Sequence, residues 1–416
     1  MNSDVTEPEG PPPADPPLRP RRRWLRWTAL GASFVVLATA GAVWVLYSRL
    51  DGNIRTDVGA VNQLRRFESE RPRQIVHEAK NILLIGSDDR GGDNGRYGRD
   101  SGTQRSDTTI LLHLSADRSG ATGVSIPRDL MVDVPACERP DGTTTEPRFA
   151  QFNWAFELGG AGCTIRTAEK LTGVRVDHHL VVDFAGFTRL VDAVGGVEVC
   201  LAEPVDDPDA QLVLDAGPQT LDGEQALGYV RTRKGIGDGS DTQRMTRQQE
   251  FLGSLVRKVR GEGILTDPTR LYPVLDAVTS SLTADPGLDS LKELYDLAGS
   301  VREIPEDRVR FLTAPRQPYV HNPNRDELVQ PDAERLFTAL RNDRPVPEDL
   351  DSPADPGSGT DSGSGSGSEP AASEGPSGAP RDDAPGAGFA VARTGLSGPS
   401  GSPVDGRPAA TGSVCG

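Results

Sequence analysis

Between Trp27 and Ser48 the chain runs for 22 residues without a single charge, dominated by Ala, Val, Leu and Gly. That is enough to cross a ~30 Å hydrocarbon core as one helix, so the segment divides the chain between two compartments. Arg19, Arg21, Arg22, Arg23 and Arg26 precede it, whereas the far side begins Arg49-Leu50-Asp51. The positive-inside bias therefore places the N-terminus in the cytoplasm and everything after residue 50 outside it. A cleaved signal peptide is the competing reading of an apolar run behind arginines. Trp24, Trp27, Trp44 and Tyr47 at the two ends favour a retained single-pass anchor in the cell membrane.

The rest of the chain follows from this division. Residues 1–26 read as a disordered leader that becomes basic, 27–48 as the transmembrane helix and 49–74 as a membrane-proximal stalk. Residues 75–345 are long enough for one large domain with a single core. Residues 346–416 are rich in Gly, Ser, Pro, Ala and Asp, with Gly-Ser repeats, and cannot bury enough apolar surface to offset their ordering entropy. They read as a disordered acidic tail. Four cysteines are too few for a disulfide scaffold, although the compartment permits bonds. Cys137 and Cys163 flank a loop rich in Thr, Pro and Gly and are the expected pair if one forms. Cys200 reads equally as a buried free thiol or a bonded one, and Cys415 is given no structural role.

Within the domain, apolar runs at Asn81–Ile85, Thr108–Leu114 and Gly123–Ile126 read as strands. Helical spacing appears over Ile165–Leu171 and over Phe184–Val194, where Asp183 is placed to cap the start and Gly195-Gly196 the end. A further strand is expected at Val197–Leu201. Strands alternating with helices predict an α/β fold: an α/β/α sandwich with a central mixed sheet, preceded by one transmembrane helix.

Charge is distributed unevenly in this domain. The formal net charge is −16, yet Arg231, Arg233, Arg244 and Arg247 fall on one short segment and the start of a helix. Arginine presents a planar fork of donors that fits phosphate oxygens in pairs, so the cluster predicts a site for a multiply charged anion. Phe251, Leu252, Leu255, Val256 and Val259 form the helix's apolar stripe. Stepping back along it reaches Gln248 and Arg244, so the inward face begins charged and becomes apolar. Asp241 is placed to cap this helix, whose N-terminus would add its own positive end. A solvated basic helix start is the bland alternative. Asp88 follows one predicted strand and Asp107 precedes the next. If those strands are neighbours, the two carboxylates share a rim and suit magnesium with phosphate oxygens and water. Simple turn chemistry is the other reading of both aspartates. Arg128, directly after the Gly123–Ile126 strand, reads on its own as an ion-pair partner of Asp129.

Taken together, Leu84-Ile85-Gly86-Ser87-Asp88-Asp89-Arg90, Arg105-Ser106-Asp107-Thr108, Ser125-Ile126-Pro127-Arg128-Asp129 and Phe152-Asn153-Trp154-Ala155-Phe156 with Gly159-Gly160 resemble the extracytoplasmic LytR-CpsA-Psr family. The likeness continues through Val191-Asp192-Ala193-Val194-Gly195-Gly196-Val197, Leu221-Asp222-Gly223-Glu224-Gln225-Ala226-Leu227 and Val230-Arg231-Thr232-Arg233, and ends on Asp241, Arg244, Arg247 and Gln248. The loop between Asp88 and Asp107 is longer than the family pattern. This resemblance implies a phosphotransferase that joins a glycopolymer carried on polyprenyl pyrophosphate to peptidoglycan by a phosphodiester bond, releasing polyprenyl phosphate. Asp88 and Asp107 then match magnesium ligands. Arg90, Arg105, Arg128, Arg231, Arg233, Arg244 and Arg247, with Gln248, match the pyrophosphate-binding set. Arg128, Arg105 and Asp241 are expected to act in the reaction itself, with Asp88, Asp107 and Asp241 left open as proton acceptors.

Such chemistry needs charge neutralisation and alignment more than a protein nucleophile. None of the five histidines lies within these motifs, and the chain has no Gly-x-Ser-x-Gly elbow or Walker-type loop. A hydrolase of lipid-linked pyrophosphate and a noncatalytic surface protein that binds anionic polymers are the competing readings. An acidic extracytoplasmic domain lacks the electrostatic footprint for nucleic acid.

Overall fold

A computed structural model describes residues 21–88, 106–139, 141–232, 236, 241–261 and 267–350. Among these, one helix, α1 (Arg21–Asp51), is long and apolar enough to cross a membrane. Its large apolar side chains, among them Phe34, Leu37 and Val43, are exposed, as side chains that meet lipid rather than a protein core would be.

Residues 49–74 differ from the expected stalk, because they are built into the domain. Leu50 is buried, the Asp51 carboxylate accepts the Leu291 N–H at 2.9 Å, and Asn53 donates to Asp276 at 3.1 Å. The chain then forms β1 (Arg55–Thr56) and α2 (Val58–Arg66), whose N-cap Asp57 accepts the Ala60 N–H. Beyond α2, Arg71 donates from Nε and Nη2 to the two oxygens of Glu169 at 2.9 and 2.7 Å, and from Nη2 to the Val176 carbonyl.

The strands expected from apolar runs are present, β2 (Lys80–Ser87) and β3 (Ser106–Leu114) with wider bounds and β4 (Ala121–Ser125) starting two residues earlier and ending before Ile126. The hairpin β5 (Met131–Val134) and β6 (Arg148–Gln151) leads into α3 (Trp154–Thr172). That helix kinks at Gly159 and Gly160, where a side chain at Gly159 would meet the Glu138 carbonyl at 2.8 Å and both Cys137 and Cys163 at 3.0 Å. Those cysteines form the expected disulfide. Cys200 is exposed and disulfide-bonded, not a buried free thiol.

Next come β7 (His178–Asp183) and α4 (Phe184–Ala193), capped by Asp183 as expected. Four short strands follow, β8 (Val197–Leu201), β9 (Val205–Asp207), β10 (Leu212–Leu214) and β11 (Gly217–Leu221), paired β8 with β11 and β9 with β10 outside the main sheet. Three helices, α5 (Gly223–Arg231), α6 (Asp241–Gly261) and α7 (Pro268–Ser281), precede β12 (Leu282–Ala284) and α8 (Leu291–Arg302). The domain closes with β13 (Val309–Thr313), the hairpin β14 (Arg316–Tyr319) and β15 (Asn322–Leu328), and α9 (Asp332–Arg341). Val346 beyond it is still buried, and its carbonyl accepts from Arg310.

The main sheet has seven strands in the order β1-β12-β7-β2-β3-β4-β13, with mixed directions. Ile82, Leu83 and Ile85 of β2 are fully buried, as expected of a strand covered on both faces. One face packs with α3 and α9 around Leu111, Phe152, Ile165 and Phe337; the other is covered by α8 through Leu297 and Val301, with Ile304 just beyond it. A separate cluster around Val191, Leu221, Tyr229 and Phe251 joins α4, α5 and α6 with β8–β11. The result is an α/β/α sandwich with an added helical and hairpin module.

Candidate active site

The parallel strands β2, β4 and β7 all end on one edge of the sheet, where antiparallel β3 begins. Carboxyl ends of strands are where open α/β sheets place their ligands. Here Ser87 pairs with Ser106 on one side and with Asp183 on the other, so Asp88 and Asp107 emerge from adjacent strand ends. A bulge between Gly86 and Ser87 lies opposite this point, a local irregularity that re-aims side chains at a sheet rim.

Arg128 follows β4 on the same rim. Its Nη1 donates to Asp107 at 3.0 Å and its Nε to Asp129 at 3.2 Å. Asp129 also accepts from Gln151 at 2.5 Å and from Arg325 at 3.3 Å, so it is the structural partner, whereas Asp107 links Arg128 to the neighbouring strand. The Asn153 N–H donates to the Arg128 carbonyl at 3.0 Å, docking the start of α3 beside the pair. The side-chain oxygens of Ser106 and Asn153 are buried and find no hydrogen-bond partner among the described residues. Buried polar atoms are ordinarily bonded, so these two oxygens, on a neighbour of Asp107 and on the residue docked against the Arg128 carbonyl, are open to a further polar partner.

The second arginine group comes from the added module, and much of the family-like sequence builds that module. Asp222 caps α5 in a reciprocal box with Gln225, and Gly223 packs so close to α4 that a side chain would meet the Thr188 carbonyl at 2.3 Å. Gly195 and Gly196 take positive φ to end α4, with the Gly196 N–H returning to the Val191 carbonyl at 2.9 Å. This frame sets Arg231 over the Phe184 ring at 4.6 Å, one residue beyond Asp183 at the end of β7. At the other end, Gln249 donates to Ser125 and Thr313, both at 3.1 Å, tying α6 to the ends of β4 and β13. The module therefore spans the rim between β7 and β13, across the strands that carry Asp88 and Asp107.

Arg244 and Arg247 are 5% and 6% exposed, and the buried face of α6 continues through Phe251, as the periodicity predicts. Burial pushes the Arg247 guanidinium below its ordinary value. Arg247 donates to the Thr232 carbonyl, its Nε has no hydrogen-bond partner among the described residues, and Gln248 donates to the Val230 carbonyl at 3.0 Å. Arg90, Arg105 and Arg233 lie outside the described residues. Asp241 opens α6, but its side chain also lies outside them, so the capping and proton-acceptor expectations for it have no structural counterpart.

Sequence reasoning did not single out Asp207, Gln249 or Thr232. Asp207 is 1% exposed and accepts from the Thr232 hydroxyl and from the Asp209 and Ala210 N–H groups. It thereby fixes the turn that carries Arg231 and receives Arg247. Its place before Pro208 reads locally as turn chemistry, and only the contact with Thr232 reveals the role. Asp207→Asn is expected to reduce the activity of the arginine site about tenfold, with about 1–3 kcal/mol lost in stability. Activity that follows only the folded fraction in thermal melts would show Asp207 to be purely structural.

Residues 52–342 match the profile of the LytR_cpsA_psr family. The chain is 38% identical over 252 residues to the probable cell wall biosynthesis protein LcpB of Corynebacterium glutamicum, covering 58% of this chain and 57% of that protein. It is 28% identical over 290 residues to the polyisoprenyl-teichoic acid–peptidoglycan teichoic acid transferase TagU of Oceanobacillus iheyensis, covering 68% and 84% respectively. The solved LytR-Csp2A-Psr enzyme from Actinomyces oris shares the fold, with a TM-score of 0.51 at 21% identity over 69% of this chain and 95% of that one. The chain spans less than two thirds of the length of its Corynebacterium relative.

Proposed function

This chain belongs to the LytR-CpsA-Psr family, and on that premise we propose that it is an extracytoplasmic phosphotransferase that moves a glycopolymer from polyprenyl pyrophosphate to peptidoglycan. A phosphodiester forms to a sugar hydroxyl of the acceptor, and polyprenyl phosphate leaves. The observation that supports the reading is the rim itself: Asp88, Asp107 and Arg128 on adjacent strand ends, beside a module that sets Arg231 over Phe184 at the end of β7 and ties the helix of Arg244 and Arg247 to the ends of β4 and β13. The name of the Oceanobacillus relative, a polyisoprenyl-teichoic acid–peptidoglycan teichoic acid transferase, points the same way. The arginines at the start of α1, ahead of its apolar stretch, support an N-terminus in the cytoplasm and a domain outside.

In this reading the guanidinium forks hold the pyrophosphate oxygens and offset the charge that builds on the leaving phosphate. Burial of Arg244 and Arg247 keeps water away from those contacts and strengthens them. Asp88 and Asp107 would hold magnesium, and two carboxylates suit an ion that keeps several waters and takes the rest of its shell from phosphate. When bound, the metal would supply further neutralisation of the phosphates. Arg128, through Asp107, couples that carboxylate to the anion site.

The test is reconstitution of the full chain with a labelled polyprenyl-pyrophosphate-linked glycopolymer, with and without peptidoglycan. Label should move to peptidoglycan. Release without acceptor at an equal rate would make the protein a hydrolase, and binding without turnover would make it a receptor. Asp107→Asn should raise the magnesium needed for half-maximal transfer about tenfold, while pyrophosphate binding at saturating metal changes less. Equal magnesium requirements in variant and wild type would remove Asp107 from the metal site.

A further inference from the structure

Beside the rim lies a cleft of about 1110 Å³ that the phosphate chemistry does not use. Ser87 and Asp183, paired across β2 and β7, form the wall it shares with the Asp88 side of the rim. From there it extends past β12 and β1 to α2 and the kink of α3. Phe156, Val181 and Ala185 contribute an apolar surface, and Arg55, Arg139, Arg189, Asn62 and Ser281 contribute polar groups. Gly59, which lines it from α2, has only the Asp57 carboxylate within 4 Å of where a side chain would begin, and Gly160 has nothing. The cleft is larger than the ~300–1,000 Å³ of a usual small-molecule site and is half polar in character, unlike a pocket made for a lipid tail.

Its charges decide among ligands. Among the described residues, three arginines, Arg55, Arg139 and Arg189, and three carboxylates, Asp57, Asp183 and Glu138, line it. The carboxylates are already engaged: Asp57 by the Ala60 N–H at 2.8 Å and His179 at 3.3 Å, Asp183 by the Gly186 N–H at 2.7 Å, and Glu138 by Arg66 at 3.1 Å. A formally balanced wall of this kind gives no net attraction to a polyanionic glycopolymer or to a cation. It suits a ligand rich in hydroxyls and amides with small apolar faces. Resting on the phosphotransferase reading, we propose that this cleft binds the amino-sugar strand of the peptidoglycan acceptor and delivers its hydroxyl to the rim at Asp88.

Exposed positions Asn62 and Gly59 allow bulk to be added inside the cleft without entering the core. In the full-length protein, Asn62→Trp and, separately, Gly59→Leu are expected to weaken binding of peptide-bearing glycan tetrasaccharide at least tenfold, read by saturation-transfer NMR without donor. In transfer assays each should raise the half-saturating acceptor concentration by a similar factor and leave that of the lipid-linked donor unchanged. Two donors, one carrying a single sugar and one the full polymer, separate the two sources of carbohydrate. A rise in half-saturation confined to the full-polymer donor would assign the cleft to the donor and overturn the proposal. Wild-type glycan binding in both folded variants would also overturn it. A wild-type protein that binds glycan, loses that binding in the variants and yet transfers nothing would refute the phosphotransferase reading and leave the cleft assignment standing.

Discussion

Arg128→Lys is expected to lower transfer by about a hundredfold or more while shifting stability by only about 1 kcal/mol. The arginine uses two nitrogens at once, Nη1 on Asp107 and Nε on Asp129, and lysine offers a single mobile point charge that cannot reproduce the fork. Loss of one preorganised donor at a site of developing charge typically costs on the order of 10²–10³ in rate. Stability changes little because Asp129 keeps Gln151 and Arg325, and Arg128 is partly open to solvent, where ion pairs count for less. Single-turnover transfer rates beside thermal melts check this. A variant that turns over like wild type would reduce Arg128 to a structural ion pair.

The largest effect on folding is expected from Glu169→Ala, at about 3–5 kcal/mol, or on the order of 10 °C in melting temperature. Glu169 is 2% exposed and receives two nitrogens of Arg71 as well as the Val176 N–H at 3.0 Å. Removing it leaves the largely buried Arg71 guanidinium with only the exposed Glu68 carboxylate at 3.3 Å and the Val176 carbonyl at 2.9 Å. The double variant Arg71→Met/Glu169→Met removes both charges and should recover much of the loss, since an apolar pair of similar volume often replaces a buried ion pair without penalty. Denaturant melts of the three proteins test the claim. A single variant within about 1 kcal/mol of wild type would show that the segment after α2 is not held by this pair.

That pair also shows where the sequence stopped being readable. Strands β2, β3 and β4 announce themselves through continuous apolar runs, and α4 through its cap and its glycines, because these signals are local. The inward arginine face of α6 is likewise visible from periodicity alone. Residues 49–74 gave no such signal. β1 is two residues long, α2 buries only Ala60 and Gln63, and Arg71 and Glu70 meet Glu169 and Arg166 that come almost a hundred residues later. A polar stretch whose partners are that distant looks like a linker. The strand at Val197–Leu201 was legible as a strand, but not its membership of a hairpin outside the main sheet, since the local pattern is the same in either place. At the site, the aspartates and arginines were recognisable as a set, whereas the buried carboxylate of Asp207 and the anchoring amide of Gln249 became visible only through their contacts.

The direct passage of α1 into the domain has a consequence for encounter rates. Leu50, Asp51 and Asn53 fasten the end of this helix to α7 and α8, so no slack tether separates an anchor from the rim. On the proposed reading, with α1 in the bilayer and the donor carried on a lipid, the domain is held at a fixed height and attitude and its search for the donor becomes diffusion in two dimensions. Reach is then set by the geometry of the body and not by linker statistics. A flexible spacer of several glycine and serine residues inserted after Ser48 should leave the soluble chemistry intact and slow transfer selectively when the donor is sparse in the membrane.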